Sequence, residues 1–557
     1  MIERIVEDWL TSVTEKNFQV PFAQLLALEG YTVVHIARPH GPMEQGKDIL
    51  AIDSEGIPCA FQLKAGDLSL KDWRHPDHPL KGQVEDLLDL PIEHPSIDDC
   101  HEHHSFLVTT GTLDDALRQE ITVFNRGRTR KRKPKLELWV KDHLKKKVQD
   151  ALGRFLPQNL ATFRDFLRLY LADGRGLPDN SKVASFLEQF NADGRIATPA
   201  QLRQRSAELV MIGSYLTDSY QKSRNHVSEI HVWMLVAAEL LHLASTVKPG
   251  SKHVRLSLGF VEVAVWQAMS RLVDEVKDRK DYVEGNPFSD AFVYRARLTI
   301  LMGALSAVVL WDKWLNGQSN NEDLVRAFIT TNRSTGWLWG ESAVPSFLTA
   351  GWAADLLGIK QGVESTAAQM AHNIVLLNSD ERRRKSDKQQ ANQPVLNMPP
   401  RGLPNPYVSP AEVINTQMNP FQGPMKADYI GQSYSLEGLV HLLARRLNRK
   451  LLETLWYNIS HVAFATFRPE RQTDLWRWHN TAGVIEHRYT EHPTSWGKLK
   501  SAANKADPSL LPPLAQDYPH FLLLFALVAP HRMNAATIRF LDGINWDKGS
   551  SILGRTA

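Results

Sequence analysis

The spacing of hydrophobic and polar residues changes along the chain and divides it into regions. Over the first 155 residues, stretches with apolar residues at helical spacing alternate with short, β-branched apolar stretches, which is typical of an α/β domain. The predicted elements are, in order, a helix from Phe18 to Leu28, strands at 31–37, 48–53 and 58–64, a helix at 82–90, a strand at 105–111, a helix at 113–125, a strand at 135–140 and a helix at 141–152.

The rest of the chain has mainly helical spacing. Residues 156–378 contain several helices that are apolar most of the way round, so we expect an α-helical domain with a sizeable core. Residues 379–432 are charged and then rich in Pro, Asn and Gln, which favours a linker or a mobile loop. Residues 433–557 are predicted to form a C-terminal α-helical domain that begins with a long helix at 435–467.

The composition is that of a soluble globular protein, with 43% hydrophobic and 23% charged residues. At 557 residues the chain is too long for one core, and we expect roughly two to four domains. Cys59 and Cys100 are the two cysteines, and the opening MIERIVEDWL does not have the pattern of a secretory signal, so we expect a reducing, cytoplasmic location. The most apolar segment, 298–311, has 14 residues, fewer than the ~20 that cross a bilayer, so we expect a buried helix and no membrane span.

Two strands joined near residue 55 bring candidate catalytic residues together. The tripeptide SEG suits a three-residue hairpin loop in which Gly56 has the left-handed conformation. In that register Asp48 lies opposite Gln62, and Lys64 shares their face because it follows Gln62 by two positions. A two-residue loop would shift the register and move Asp48 to the other face. The longer loop therefore predicts a carboxylate, an amide and an ammonium group on one patch.

This patch suits metal-assisted hydrolysis of a phosphodiester. The Asp48 carboxylate, the Gln62 side-chain oxygen and the Leu63 carbonyl are oxygen ligands of the kind that Mg²⁺ or Mn²⁺ prefers. Lys64 would position the attacking water or offset charge that develops on the phosphate. Phe61 and Leu63 would face the other way, towards a core.

The same residues resemble a known family. GKD, followed fourteen residues after its Asp by QLK, resembles the PD-(D/E)xK nuclease superfamily and is most similar to its Mrr-like restriction endonuclease branch, in which Gln is common in the middle motif. The resemblance covers roughly residues 15–150 and includes LLALEGYTVV, SFLVTTG and KLELWVKDHL. It implies a restriction-endonuclease-like mixed sheet flanked by helices and a metal-dependent DNA endonuclease. By this resemblance Asp48 is the metal-binding acid, Gln62 takes the second acidic position and Lys64 is the catalytic lysine.

The first helix departs from the family pattern. Family members often have a Glu there that completes the metal site, whereas this chain has Gln19 in that place, with Glu15 and Glu29 as substitutes. Glu44, just before GKD, is a further candidate acid. One carboxylate with two amides would bind Mg²⁺ weakly, so the resemblance leaves open how active the site is.

Positive charge is concentrated in one run, although the net charge is only +3. RGRTRKRKPK, at 126–135, has seven Lys or Arg in ten residues and lies between the last helix and the last strand of the α/β domain, where a loop would flank a bound duplex. Beside a nuclease site such a run favours contact with the phosphates of DNA, with double-stranded DNA preferred. Alone it is equally typical of a solvated loop. The candidate DNA-binding residues are Arg126, Arg128, Arg130, Lys131, Arg132, Lys133 and Lys135.

Other functions remain open. The hairpin can be an ordinary one, with Asp48 capping a turn and Lys64 in solvent, or the domain can dock nucleic acid or a partner protein without cleavage. An RNase would use the same site or Arg224 and His231, which resemble the Arg-x4-6-His motif of HEPN ribonucleases. Small nuclease domains fused to large helical regions resemble prokaryotic antiphage or restriction effectors. By that analogy the helical region would sense a trigger, bind a partner or form a homo-oligomer.

Two further clusters favour structural roles. CHEHH, at 100–104, gathers candidate zinc ligands together with His94, but its spacing matches no structural zinc pattern, so a polar loop is expected. RQTDLWRWHN places Arg477 between Trp476 and Trp478, which could stack on bases; packing at a helix end is favoured instead.

Overall fold

A computed structural model provides the structure of the protein. It describes residues 2–36, 47–75, 80–94, 97–100, 103–155, 160–192, 198–246, 250–278, 291–332, 341–360, 362–378, 432–477, 483–505 and 507–547. The predicted linker at 379–432 therefore lies outside the described residues, apart from Gln432.

The N-terminal region is an α/β domain with the predicted order of elements. Its elements are α1 (Ile2–Ser12), α2 (Glu15–Leu28), β1 (Thr32–Ile36), β2 (Ile49–Ile52), β3 (Pro58–Lys64), α3 (Leu70–Trp73), α4 (Leu80–Asp89), β4 (Ile92–His94), β5 (Ile97–Cys100), β6 (His104–Thr109), α5 (Asp115–Arg130), β7 (Leu136–Trp139) and α6 (Lys141–Phe155). The helix α1 and the small β4–β5 hairpin were not predicted.

The central sheet is mixed and has five strands in the order β1-β2-β3-β6-β7. The first three strands form an antiparallel meander, and β6 and β7 continue the sheet in parallel with β3. Parallel neighbours need a crossover connection, and α4 and α5 lie in the segments that provide it. Antiparallel and parallel pairs therefore meet at β3, the central strand.

The β2–β3 hairpin has the predicted three-residue loop. Gly56 has a φ of +86°, and the Asp53 carboxylate accepts hydrogen bonds of 2.9 Å from the N–H groups of both Glu55 and Ile57. The strands pair Ile49 with Phe61, so the register continues from the loop as expected. Within the turn, the Asp53 carboxylate accepts hydrogen bonds in place of a backbone carbonyl, and it thereby fixes the register of the hairpin.

Apolar side chains cover both faces of the sheet. On one face Phe61 stacks on Phe106, with ring centroids 4.6 Å apart, and the edge of Phe22 from α2 packs against it. On the other face Ala60 and Leu107 belong to a separate cluster with side chains from α4 and α5. Burial of each large apolar side chain contributes about 1.5–3 kcal/mol, so this two-sided packing holds β3 firmly in place.

The region after the α/β domain is helical, as predicted. Its helices are α7 (Leu160–Tyr170), α8 (Asn180–Ala192), α9 (Pro199–Lys222), α10 (His226–Thr246), α11 (Gly250–Asp278), α12 (Ala291–Asn316), α13 (Glu322–Asn332), α14 (Val344–Leu356) and α15 (Val363–Asn378). Buried residues of this region continue the core on the α2 face of the sheet, and Trp9 and Tyr215 meet there with ring centroids 5.1 Å apart. The helical region is thus packed against the α/β domain.

The C-terminal region combines helices with a small three-stranded sheet, which was not predicted from the sequence. It contains β8 (Gln432–Ser433), α16 (Leu436–Arg445), α17 (Arg449–Ile459), β9 (Ala463–Pro469), β10 (Gly483–Arg488), α18 (Trp496–Asn504), α19 (Pro519–Val528) and α20 (Ala535–Asp542). The expected helix at 435–467 breaks at Leu447, which has a φ of +63°, and its last part becomes a strand. The reason is tertiary: β9 pairs with β8 on one side and with β10 on the other.

Within the described part of the chain, three helical segments are long and apolar enough to cross a membrane by length and composition: His226–Thr246, Lys252–Asp278 and Arg297–Asn316. The apolar run 298–311 lies within α12, a helix that is longer than the run itself. The 14-residue length of the run therefore does not by itself exclude a membrane span. In the folded chain, 94%, 61% and 72% of their most apolar windows are buried against other parts of the protein.

Candidate functional site

Asp48, Gln62 and Leu63 meet at the end of β3. One oxygen of the Asp48 carboxylate, Oδ2, accepts a hydrogen bond of 2.8 Å from Nε2 of Gln62 and one of 2.6 Å from the backbone N–H of Leu63. The predicted register places these groups together. A strand residue directs its N–H and C=O to the same edge, so the Leu63 carbonyl also faces the Asp48 side of β3.

Two of the candidate residues, Gln62 and Gln19, have a buried amide oxygen that is unsatisfied. Oε1 of Gln62 and Oε1 of Gln19 have no hydrogen-bond partner among the residues the structure describes, and the two residues are only 5% and 8% exposed. A buried acceptor without a partner costs about 1–3 kcal/mol. Such oxygens are able to accept a proton donor or to bind a cation.

Lys64, the last residue of β3, is partly exposed and pairs with an acid of α2. Its ammonium nitrogen lies 3.4 Å from Oε2 of Glu15, and the two side chains are 21% and 40% exposed. Glu15 reaches Lys64 because α2 begins three residues earlier than predicted, where Thr14 caps the helix by accepting a hydrogen bond from the N–H of Asn17. The structure thus brings Glu15 to the site, and Gln19 follows it one turn later on the same helix.

The other candidate acids do not join this site. Glu29 lies at the opposite end of α2, where its carboxylate pairs with Lys147 at 2.7 Å. Fourteen residues of helix, about 21 Å, separate it from Glu15. Glu44 lies outside the described residues.

The chain that follows Lys64 is tied to the end of β6. The hydroxyl of Thr109 donates a hydrogen bond of 2.6 Å to the Gly66 carbonyl, and the N–H of Thr110 donates one of 3.2 Å to the Lys64 carbonyl. A Cβ at Gly111 would lie 2.1 Å from the Gly66 carbonyl carbon, so only glycine fits there. This close approach fixes the backbone at Lys64, and sequence analysis did not identify it.

The basic run is partly helical, and one of its members is structural. The helix α5 continues to Arg130, so the expected loop begins only at Lys131. Arg128 is 7% exposed and donates two hydrogen bonds, of 3.1 and 2.8 Å, to the Asp89 carboxylate. This ion pair accounts for Arg128 without any contact with DNA. The exposed residues of the run are Arg126, Arg130, Lys131, Arg132, Lys133 and Lys135.

The structure also places the residues of two weaker candidates. Arg224 precedes α10 and is exposed, while His231 lies within α10 and is buried, with burial lowering its pKa to about 4. Trp476 is fully buried and its indole N–H donates a hydrogen bond of 2.7 Å to the Pro513 carbonyl, so it is not available to stack on a base. Trp478 lies outside the described residues.

A second cluster lies at the opposite end of the sheet. Asp53, Cys59 and His104 have one potential ligand atom each, and these atoms all lie within 4.8 Å of one another. His104 belongs to the CHEHH segment, whereas His103 of that segment is buried and contacts the Leu87 carbonyl at 2.8 Å. The hairpin register places Asp53 and Cys59 on one face, but the addition of His104 depends on the parallel pairing of β3 with β6, which the sequence did not predict.

The Asp48 group and the Asp53 group thus lie at opposite ends of β3. Comparisons of the chain with protein-family models, with curated proteins and with solved structures found no match in any of the three. The candidate site consists of Asp48, Gln62, Leu63 and Lys64, with Glu15 contributed by α2.

Proposed function

We propose that the α/β domain is a metal-dependent endonuclease of the PD-(D/E)xK type that hydrolyses phosphodiester bonds in DNA. The observation that carries the proposal is the meeting of Asp48 with Gln62 and Leu63 directly beside Lys64. An antiparallel meander that continues into parallel strands, with helices on both faces, is compatible with that fold.

The residues at this site fit a hard divalent cation such as Mg²⁺ or Mn²⁺. The Asp48 carboxylate, the carbonyl of Leu63 and the unsatisfied Oε1 of Gln62 would hold it. These are oxygen ligands, which such cations require, and an ion would satisfy the buried acceptor of Gln62. When bound, the ion supplies polarisation of the scissile phosphate and a water of lowered pKa.

Lys64 and Glu15 would act on the phosphate from the solvent side. An ammonium group at the strand end offsets the negative charge that grows on the phosphate oxygens as the bond breaks. Glu15 holds this ammonium at 3.4 Å in the free protein, and it would release Lys64 to the substrate or orient the attacking water. The close backbone contact between Gly66 and Gly111 keeps the lysine backbone fixed while the side chain moves.

Duplex DNA would be held mainly by its phosphates. The exposed cations around the end of α5, at 126 and 130–135, would neutralise several phosphates and give binding that weakens steeply with salt. The large helical region would restrain the nuclease, by binding a partner protein or by forming a homo-oligomer, as in an antiphage or restriction effector. That biological role rests on analogy of architecture.

A second function, binding of nucleic acid without cleavage, has one observation in its favour. Asp48 accepts two N–H groups and Lys64 pairs with Glu15, so the charged groups of the site are compensated within the chain itself. A site of this kind can be structurally complete without an ion. The two functions differ in a single measurable property, which is metal-dependent strand cleavage.

Cleavage of plasmid and linear duplex DNA by the full chain, with Mg²⁺, with Mn²⁺ and with a chelator, tests the proposal. We expect cleavage only with the metals, and a loss of about 100-fold or more in Lys64→Ala. Lys146→Ala, which changes an exposed lysine of α6 in the same domain, should cleave at the wild-type rate. Equal rates for wild type and Lys64→Ala would remove Lys64 from the mechanism. Salt-sensitive binding without cleavage would favour the second function, and cleavage of RNA alone would identify an RNase.

A further inference from the structure

Asp53 directly follows β2, Cys59 lies in β3 and His104 begins β6, and the three residues share one face of the sheet. Cys59 pairs with Ala51 on β2 and with His104 on β6. Asp53 follows Ala51 by two positions, so its side chain lies on the same face as that of Cys59. The hairpin turn and the first residue of β6 therefore direct a carboxylate, a thiol and an imidazole towards one point.

The three groups differ in how they are held. Asp53 is oriented by the two N–H groups that bond to its Oδ1, which leaves its other oxygen directed away from the turn. Cys59 is fully buried and its Sγ lies 3.5 Å from the Ile57 carbonyl, whereas His104 is exposed. The site is thus rigid on the side of the hairpin and accessible on the side of the histidine.

Burial and nearby carboxylates act on Cys59 in different ways: burial opposes the charged thiolate in the free protein, whereas the negative charge of the carboxylates favours a bound cation. Burial raises the pKa of the Cys59 thiol to about 12, and the carboxylates of Asp53 and Glu137 contribute to the rise. The pKa of the Tyr31 hydroxyl is also raised to about 12, by burial first and then by Cys59 and the same two carboxylates. Several acidic groups thus face this corner of the sheet.

We propose that Asp53, Cys59 and His104 bind a zinc ion that links β2, β3 and β6, with water in the remaining coordination position. Sulfur, nitrogen and oxygen together are a ligand set typical of Zn²⁺, and three protein ligands plus an open position are typical of accessible zinc sites. Binding requires the thiolate, so the Cys59 proton passes to solvent as the metal–sulfur bond forms. The Asp53 carboxylate is already held in place by the turn, and the exposed His104 imidazole completes the site by a small movement of its side chain.

This site is separate from the proposed nuclease centre. Cys59 and Lys64 are five positions apart on β3, which corresponds to about 17 Å along an extended strand. The nuclease centre has only oxygen ligands and would hold Mg²⁺ or Mn²⁺, whereas the second cluster contains a thiol and would select a softer ion. The zinc proposal therefore stands whether or not the domain cleaves DNA.

Zinc content and cobalt spectra of the full chain test the proposal. After removal of metals by a chelator and dialysis against Zn²⁺, we expect about one zinc per chain by elemental mass spectrometry, and Co²⁺ should give a thiolate-to-cobalt absorption band. Loss of groups that merely support a zinc ligand weakens binding about 10–100-fold, so loss of a ligand in Cys59→Ala or His104→Ala should weaken it at least as much. His143→Ala and Cys100→Ala are the matched controls, because His143 is an exposed histidine of the same domain and Cys100 is the other cysteine.

Each outcome decides the matter. Zinc binding that is lost in Cys59→Ala and His104→Ala and kept in both controls supports the site. No zinc uptake by the wild-type chain, equal uptake by all variants, or a cobalt band that disappears in Cys100→Ala and not in Cys59→Ala would overturn it. Because His104 is exposed, His104→Ala retains the core, and a loss of binding there is not explained by unfolding.

Discussion

At one end of the central sheet Lys64 pairs with an exposed acid, Glu15, whereas Arg477 of the C-terminal region pairs with two buried acids, Glu239 and Asp474. The side chains of Lys64 and Arg477 are similarly exposed, at 21% and 18%, but Glu15 is 40% exposed while Glu239 and Asp474 are 4% and 2% exposed. Both groups contain acids beside a base. They differ in the burial of the acids, because Glu15 is open to solvent whereas Glu239 and Asp474 are enclosed by the protein.

The buried group connects separate parts of the chain. Arg477 donates a hydrogen bond of 3.0 Å to Glu239 on α10, and Asn191 on α8 donates one of 2.7 Å to the same carboxylate oxygen. Arg477 also lies 3.9 Å from the carboxylate of Asp474 in the 3₁₀ turn Gln472–Trp476. These contacts join the helical and C-terminal regions. A cluster of charged residues in this protein is therefore a candidate for chemistry only where some of its side chains are exposed to solvent.

The largest expected effect is on stability, in the buried group. Arg477→Ala removes the cation and leaves Glu239 buried without its ion pair, which costs about 3–5 kcal/mol of unfolding free energy. Denaturant unfolding followed by tryptophan fluorescence measures this change. Arg326→Ala, which changes an exposed arginine of α13, should change stability by less than about 0.5 kcal/mol. If the two variants unfold alike, the buried network does not hold the regions together.

The second effect is on activity, at the open site. Asp48→Asn keeps the shape of the side chain but removes its charge, so we expect metal-dependent cleavage to fall by about 100- to 1000-fold with little change in stability. Cleavage rates and the melting temperature should be measured on the same preparation. Asp142→Asn, which changes an exposed aspartate of α6, serves as the control. A large loss of stability in Asp48→Asn would show that this carboxylate supports the fold instead.

The open site was more predictable from sequence than the buried group, for a physical reason. Gly56 in a three-residue loop fixes the hairpin register, and the register alone places Asp48 opposite Gln62. These are local interactions within 15 residues, as the hydrogen bond from Leu63 to Asp48 illustrates. Arg477 and Glu239 are 238 residues apart, and no local pattern relates them.

Errors in the predicted fold arose where distant contacts decide the conformation. The apolar stretch that ends in β9 fits a helix by periodicity, and its pairing with β8 and β10 makes it a strand. Arg128 reads as one of seven cations in a basic run until its contact with Asp89, 39 residues earlier, is known. In the same way His104 joins Cys59 only through the parallel pairing of their strands.

The third effect is on metal affinity at the open site. Gln62→Glu adds a second carboxylate beside Asp48, and ligand charge is a main determinant of affinity for hard cations, so half-maximal cleavage should need about tenfold less Mg²⁺. The substitution also replaces the amide that now donates to Asp48, so the metal-free variant should be slightly less stable than wild type. Titration of the cleavage rate with Mg²⁺ measures the shift. Unchanged metal dependence would place the ion away from Gln62.

The smallest expected effect is a pH dependence of the folding stability. The titrating residue is Glu188, whose carboxyl group interacts with Glu239, Asp474 and Arg477. Burial raises its pKa from 4.5 to about 7, with Glu239 and Asp474 adding to the rise while Arg477 and Arg532 oppose it. A raised pKa in the folded state favours the protonated acid, so this contribution to stability is complete below about pH 4.5 and is lost as the pH rises through 7.

Glu188→Gln mimics the protonated acid at every pH. It should match the wild type near pH 4.5 and be more stable near pH 8, by about 1–2 kcal/mol once partial access of solvent is allowed for. Denaturant unfolding at several pH values measures the difference, and Glu453→Gln, which changes an exposed glutamate of α17, is the matched control. A Glu188→Gln variant that is less stable than wild type at pH 8 would mean that Arg477 holds the Glu188 carboxylate as an ion pair. The arginines would then neutralise the carboxylates of the buried group more fully than the raised pKa of Glu188 implies.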